Sequence, residues 1–318
     1  MLQSRREFLK KSASATLLSA IIPGGVFLAY DEKAVGCSQE QFTVSPEATI
    51  TKQNPRVTGL STGFHGLDAL TSGYQPSDLI VVAGRTKAGM TAFCVQTSLH
   101  AAIMSSTPVA MFPLVDNACD IQNRLICILG KIESPRLKQQ KLSREEHARL
   151  TEASRIISKS PLHIDDTADL YFDKFREQCL TMKIHKNIGI VITGWYFLMR
   201  LVPTSLSDLD KSARLLRSLK ELARELGIPI IVTAPVRRTV EARDDKRPRL
   251  SDLSAYYCNG VEEYADVVML LYRDELYNTR ADNLHKGTAE IIVCKNRNGA
   301  IGSVNVGFNT SQGAFAAI

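Results

Sequence analysis

The strongest constraint on this chain is one stretch, "LIVVAGRTKAGMTAF", running from Leu79 to Phe93. An uncharged apolar run, Leu79 to Ala83, breaks into Gly84-Arg85-Thr86-Lys87-Ala88-Gly89-Met90-Thr91, and a helical pattern follows over Thr91–Met104. A short apolar run that ends at a glycine turn and restarts as a helix belongs inside a sheet, with the helix laid over it. The turn reads G-x-x-x-x-G-M-T. It differs at one residue from G-x-x-x-x-G-K-[ST], the loop whose backbone N–H groups and following helix N-terminus cradle phosphates. The lysine that would reach the β- and γ-phosphates is here Met90. The candidate nucleotide-binding residues are therefore Gly84, Arg85, Thr86, Lys87, Ala88, Gly89, Met90 and Thr91. Thr91 keeps a hydroxyl suited to Mg²⁺, and no other metal ligand set is expected.

The rest of the chain supports an α/β reading. Further apolar runs at Val109–Phe112, Ile188–Ile192, Ile230–Thr233, Val267–Tyr272 and Ile291–Cys294 are predicted strands. Between the earlier ones lie helical patterns. Ser143-Arg144-Glu145-Glu146 is a capping box opening a helix to about Ser158. The segment Asp210–Leu226 is apolar at 215, 216, 219, 222, 223 and 226 and stops at Gly227. This alternation predicts a mainly parallel, doubly covered sheet, and the consecutive strands from Val267 predict an antiparallel edge. With 44% apolar and 23% charged residues over 318 positions, the chain can bury such a core. A net charge of +6 permits a polyanionic partner without arguing for one. The seven cysteines (37, 94, 119, 127, 179, 258, 294) form no C-x-x-C pair and read as buried free thiols. The six histidines are dispersed, with no two at metal-ligand spacing.

Residues 1–37 differ in kind. Ser4-Arg5-Arg6-Glu7-Phe8-Leu9-Lys10 precedes an uncharged stretch, Ser12 to Tyr30, broken by Pro23, Gly24 and Gly25. A basic patch before an apolar run is an export-signal layout, and S-R-R-x-F-L-K resembles a twin-arginine signal. Export to the periplasm or envelope is the expectation, with a cytoplasmic location as the alternative. A polar linker, 38–56, carries Pro46 and Pro55, and the α/β domain is expected over 57–318.

"VTGLSTGFHGLDALTSGYQPSDLIVVAGR" (57–85), "LHIDDT" (162–167), "DKRPRLSDL" (245–253), "ADVVMLLYRDELYN" (265–278) and "VCKNRNG" (293–299) resemble, in order and spacing, the C-terminal motor domain of the DnaB-type replicative helicases. That resemblance implies a RecA-like P-loop NTPase fold. It also implies ATP with Mg²⁺ as ligand, a hexamer, and single-stranded DNA as partner. The export-like segment stands where the family has a separate N-terminal helical domain.

The departures from the family pattern concentrate in its catalytic positions. The Walker lysine is Met90. The catalytic glutamate, in F-S-L-E-M, aligns with Val115 of Phe112-Pro113-Leu114-Val115-Asp116. Asp116 is one residue late and would point elsewhere on the family's backbone path, which Pro113 can alter. The magnesium-positioning aspartate becomes Thr193 or Gly194, beside an apparent one-residue insertion, and the sensor glutamine becomes Pro235. Arg85 is shared with the family and is no obvious substitute for the lysine, whereas Lys87 could serve if it faced the loop. The DNA-facing loops have drifted too. Ser207-Asp208 replaces a basic pair, and Ser254–Gly260, with Tyr256 and Tyr257, replaces R-E-S-G, so contacts to a nucleic-acid backbone are expected to be weakened. Lys295 and Arg297 survive, and in the family they reach a neighbour's γ-phosphate. Two readings follow: a non-catalytic relative that keeps the fold, or a working ATP-driven DNA helicase.

Overall fold

The computed structural model describes residues 57–201, 207–253 and 258–316. The export-like segment, the linker and Tyr256 and Tyr257 lie outside the described residues.

In chain order the elements are α1 (His65–Thr71), β1 (Leu79–Gly84), α2 (Met90–Leu99), β2 (Val109–Phe112), α3 (Ala118–Gly130), α4 (Ser134–Lys138), α5 (Arg144–Lys159), β3 (Leu162–Ile164), α6 (Phe172–Lys186), β4 (Ile190–Trp195), α7 (Asp208–Leu226), β5 (Ile230–Pro235), α8 (Val261–Tyr264), β6 (Val267–Tyr272), β7 (Thr288–Asn296), β8 (Gly302–Asn309) and β9 (Ala314–Ala316). The strands make one sheet in the order β3-β2-β4-β5-β1-β6-β7-β8-β9. It is parallel from β3 through β6 and antiparallel from β6 to β9. The expected parallel sheet with an antiparallel C-terminal edge is therefore present.

Its central strands are buried on both faces because helices cover both. On one face α6 and α7 bury Phe175, Cys179, Leu215, Leu216, Leu219 and Leu222 against β1, β4, β5 and β6. On the other, α1, α2 and α3 bury Leu67, Phe93, Val95, Ile121 and Leu125. Each such leucine or phenylalanine removed from water contributes roughly 2–3 kcal/mol before the entropy of ordering the chain is subtracted.

The local signals explain the helix ends. The capping box at Ser143 and Glu146 is formed. Gly227 ends α7 in the left-handed conformation, φ 66°. Ser207 caps α7 by accepting from Asp210 N at 3.2 Å. The helix expected over Thr91–Met104 is α only to Leu99 and continues as a π turn, His100–Met104. Cys94, Cys127, Cys179 and Cys258 are buried free thiols as expected, whereas Cys119 is exposed.

Candidate nucleotide site

The glycine loop joins β1 to α2 at the C-terminal edge of the parallel strands. Gly84 pairs in register with Pro235 of β5 on one side and Leu271 of β6 on the other. A turn bond from Ala88 N to the Arg85 carbonyl (2.9 Å) folds the loop back, and Gly89 caps α2 with φ 107°, a backbone that favours glycine. Any Cβ at Gly89 would also come within 3.0 Å of the Phe315 ring. The first N–H groups of α2 have no acceptor within the helix, so the loop presents donors and a partial positive charge to an anion. The sequence did not reveal the anchor of this loop. It is Arg273, at the end of β6, which donates to the Lys87 carbonyl at 2.9 Å, lies 3.8 Å from the centre of the Phe308 ring and pairs with Glu275. The last strand is tied to the same helix, because Gln96 donates to the Phe315 carbonyl and accepts from its N–H.

Of the two cations in the loop, Arg85 is paired and Lys87 is exposed. Arg85 pairs with Glu241 at 2.6 Å and donates to the Val236 carbonyl at 3.0 Å. Lys87 is exposed, with φ 71°. Thr86 is exposed as well, whereas Ala88 is buried. Met90, in the lysine position, is partly buried and packs against the core cluster under α2.

The three other positions expected to depart from the family pattern have separate geometries. Val115 is 67% exposed. Thr193 is 1% exposed, and its hydroxyl is buried with no hydrogen-bond partner. The apparent insertion is a bulge. Pairing of β4 with β5 runs Thr193↔Val232 and resumes at Trp195↔Thr233, leaving Gly194 out of register. A Cβ on Gly194 would sit 1.8 Å from the Pro113 carbonyl oxygen. No side chain, and so no carboxylate, fits at 194 with this backbone. Pro235 closes β5 beside Gly84 and has neither a side-chain amide nor an N–H to offer.

Asp116 departs from the sequence expectation. It does not point away from the loop: its Oδ2 accepts from the Thr91 hydroxyl at 3.5 Å. The backbone path is the reason. Leu114 adopts φ 63° and Val115 N donates to the Pro113 carbonyl at 2.8 Å, so a tight turn swings Val115 outward and Asp116 inward.

Lys295 and Arg297 lie at the other end of the sheet. Lys295 pairs with Val268 near the start of β6, and β6 runs parallel to β1, whose far end carries the loop. Both cations are bound within their own chain. Lys295 donates to the carbonyls of Glu262 (2.7 Å) and Ala265 (2.5 Å). Arg297 donates to the Glu263 carbonyl (2.8 Å) and pairs with Asp266 (3.3 Å). They thereby satisfy the last carbonyls of α8.

Residues 59–317 match the DnaB-like helicase C terminal domain. The chain belongs to the DnaB-like helicase family. It is 37% identical over 260 residues to the replicative DNA helicase DnaB of Geobacillus stearothermophilus, covering 81% of this chain and 56% of that one. It is 35% identical over 253 residues to the replicative DNA helicase DnaC of Bacillus subtilis (strain 168), with 79% and 55% covered. The chain thus spans about half the length of these relatives. Among solved structures it superposes on an isolated ATPase domain with a TM-score of 0.78 at 29% identity, over 84% of this chain and 93% of that one. It also superposes on a DnaB-like replicative helicase described with its interactions with primase, again at 0.78 and 29%, over 83% and 64%. The RecA-like architecture expected from the resemblance is therefore established for this DnaB-like domain.

Proposed function

We propose that this DnaB-like domain is a pseudo-ATPase, which keeps a weak anion-accepting glycine loop but does not hydrolyse ATP at a rate that could drive a motor. The observation that carries this reading is Met90, a thioether packed against the core in the lysine position. A thioether cannot neutralise phosphate charge, and electrostatic stabilisation of that kind is usually the largest single contribution to such a transition state. Three further positions point the same way. Val115 is exposed and cannot polarise water. Thr193 is neutral and Gly194 has no room for a side chain. Pro235 has no amide. Losses at groups that act as a unit are not restored singly. The full chain is expected to show no DNA-stimulated ATP hydrolysis above that of its own Thr91→Ala variant. Turnover that Thr91→Ala abolishes would instead establish the second reading, an ATP-dependent DNA helicase, which the Asp116–Thr91 contact favours.

Hexamer formation and single-stranded DNA binding come to this chain only by family membership, and Ser207-Asp208 argues that any DNA contact is weakened. The twin-arginine-like segment supports export to the periplasm or envelope, away from ATP and replicating DNA. A reporter fused after residue 40 should be exported only with Arg5 and Arg6 intact, and equal export of the Arg5→Lys, Arg6→Lys variant would refute this.

A further inference from the structure

We propose that the edge of the sheet opposite the glycine loop, at the N-terminal ends of β2, β3, β4 and β5, docks on an anionic lipid bilayer. The proposal goes beyond the pseudo-ATPase reading and is independent of it.

The surface follows from the topology. In the parallel part of the sheet these strands are entered from helix C-termini, so α2 with its π turn, α5, α6 and α7 end where β2, β3, β4 and β5 begin. The connecting loops touch one another there. Val109 N donates to the Pro161 carbonyl at 2.9 Å, Gly189 N to the Pro108 carbonyl at 2.8 Å and Val191 N to the Pro229 carbonyl at 3.1 Å. A Cβ at Gly189 would stand 2.4 Å from Thr107. The four helix ends therefore share one continuous edge.

That edge is cationic. Its loops, 104–108, 159–161, 183–189 and 224–229, carry Lys159, Lys183, Lys186 and Arg224 against one carboxylate, Glu225. Glu225 is already held by two guanidinium nitrogens of Arg176, at 3.0 and 2.6 Å. A cation at a helix C-terminus complements the dipole, and Lys183 serves locally by donating to the Ile188 carbonyl at 3.0 Å. Lys159, Lys186 and Arg224 are exposed. None of the three is in an ion pair among the described residues, so their charge is left for a partner.

Two large apolar side chains stand among these cations. Ile184 is 76% exposed, off the stripe by which α6 buries Phe172, Phe175 and Cys179. Met104 ends the π turn after α2 and is 46% exposed. Because α2 and α6 cover opposite faces of the sheet, the two flank the edge from its two sides. An apolar tip beside cations suits a bilayer surface: the tip enters the acyl boundary while ammonium and guanidinium groups meet lipid phosphates. An acidic protein would answer the cations but would need a separate apolar socket for each tip, whereas a bilayer receives both.

The experiment is co-sedimentation of the full chain with vesicles of phosphatidylcholine, alone or with about one third phosphatidylglycerol, at about 0.1 M salt. Wild type should bind the anionic vesicles about tenfold more tightly than the neutral ones. The Lys159→Glu, Lys186→Glu double variant should lose about tenfold on anionic vesicles, and Ile184→Asp about threefold. A Leu284→Asp, Lys286→Glu control, in the loop between β6 and β7 at the other edge, should bind as wild type. Unfolding temperatures verify that the variants are folded, and Arg224→Glu, on a separate helix, gives the same readout should one of them unfold. Wild-type affinity in the edge variants would overturn the proposal, since another part of the chain would then carry the binding. An equal loss in the control would overturn it too, as an effect of overall charge. Binding to polyglutamate that the edge variants lose, without binding to vesicles, would give the edge to an acidic protein and overturn the lipid assignment.

Discussion

Replacing Met90 with lysine tests whether the loop between β1 and α2 is a phosphate cradle that lacks only its charge. Met90 is the first residue of α2, and its thioether packs on the cluster around Phe93. A lysine there extends from the position at which the loop turns into the helix. An ammonium about 4 Å from a phosphate oxygen, at an effective dielectric near 20, gains about 4 kcal/mol. Ordering the long side chain returns up to about 2 kcal/mol. A cation at a helix N-terminus is disfavoured by a further ~0.5 kcal/mol. The remainder, about 1.5–2 kcal/mol, corresponds to roughly a 10- to 30-fold gain in affinity. The lost thioether packing should lower folding stability by about 1 kcal/mol. The assay is calorimetric titration of wild type and Met90→Lys with ADP and an ATP analogue, followed by phosphate release with and without single-stranded DNA. Tighter binding without turnover is the expected result, because Val115, the Gly194 bulge and Pro235 are untouched. Unchanged affinity would refute the phosphate-cradle reading, and turnover from this single change would refute the claim that the other positions are disabling.

Three further outcomes are expected. The Asp78 carboxyl is pushed up to about 6, first by burial and then by the charge of Asp266, against Lys220 and Arg297. The folded state holds that proton more tightly than the unfolded chain, so this contribution to stability is full below about pH 4 and is lost as pH rises through about 6. Asp78→Asn should therefore stabilise the protein at pH 8, by up to about 3 kcal/mol, and change it little at pH 4; thermal unfolding at both pH values checks this, and equal gains would contradict it. Gly194→Ala should destabilise by about 3 kcal/mol or more, since the Cβ must displace the Pro113 carbonyl; chemical denaturation measures it, and a near-neutral result would mean that the bulge yields easily. Lys295→Ala and Arg297→Ala should each lower the unfolding temperature, because both cations satisfy α8 carbonyls within the chain; a nucleotide-dependent ring in sedimentation that either change abolishes would show that they serve a neighbour instead.

Legibility in the sequence followed the strength of the local pattern. β2 and β6 begin and end where their apolar runs do, and α7 starts two residues before its expected beginning because Ser207 caps it there. The run at Ile188–Ile192 is shifted: β4 is Ile190–Trp195, since the bulge at Gly194 prolongs the strand past its apolar part. β3 was not legible as a strand, because Leu162–Ile164 is short and only partly buried. β8 and β9 alternate rather than run apolar, as strands at a sheet edge do. In the site, the departures expected at 90, 115, 193 and 235 rest on the resemblance to the family pattern. The re-aimed Asp116 cannot be read from the chain, because it depends on a leucine at positive φ, for which sequence gives no signal. The inward binding of Lys295 and Arg297 was equally hidden, since a cation's partner in a distant helix is a tertiary fact.

On the pseudo-ATPase reading proposed above, a retained fold and an altered site are compatible because they depend on different atoms. The sheet is held by apolar side chains on two faces. The positions that would do chemistry lie at the C-terminal ends of β1, β2, β4 and β5, where a motor must bury or half-bury charge at a cost in stability. On the proposed reading Met90 and Gly194 avoid that cost, whereas Thr193 keeps a buried hydroxyl without a hydrogen-bond partner. Met90 adds packing, Thr193 is neutral where exposure falls to 1%, and Gly194 admits the Pro113 carbonyl. These changes are also coupled in space. The carbonyl that occupies the space beside Gly194 belongs to the same Pro113 whose turn swings Val115 out and Asp116 in. An acid could not be put back at 194 without moving that turn, and moving the turn would take Asp116 from Thr91. On the pseudo-ATPase reading proposed above, the site has therefore not lost independent parts of an ATPase one at a time. It has settled into a different arrangement, in which one acid faces the loop from β2 and none from β4, and family membership alone does not carry the family's turnover to it.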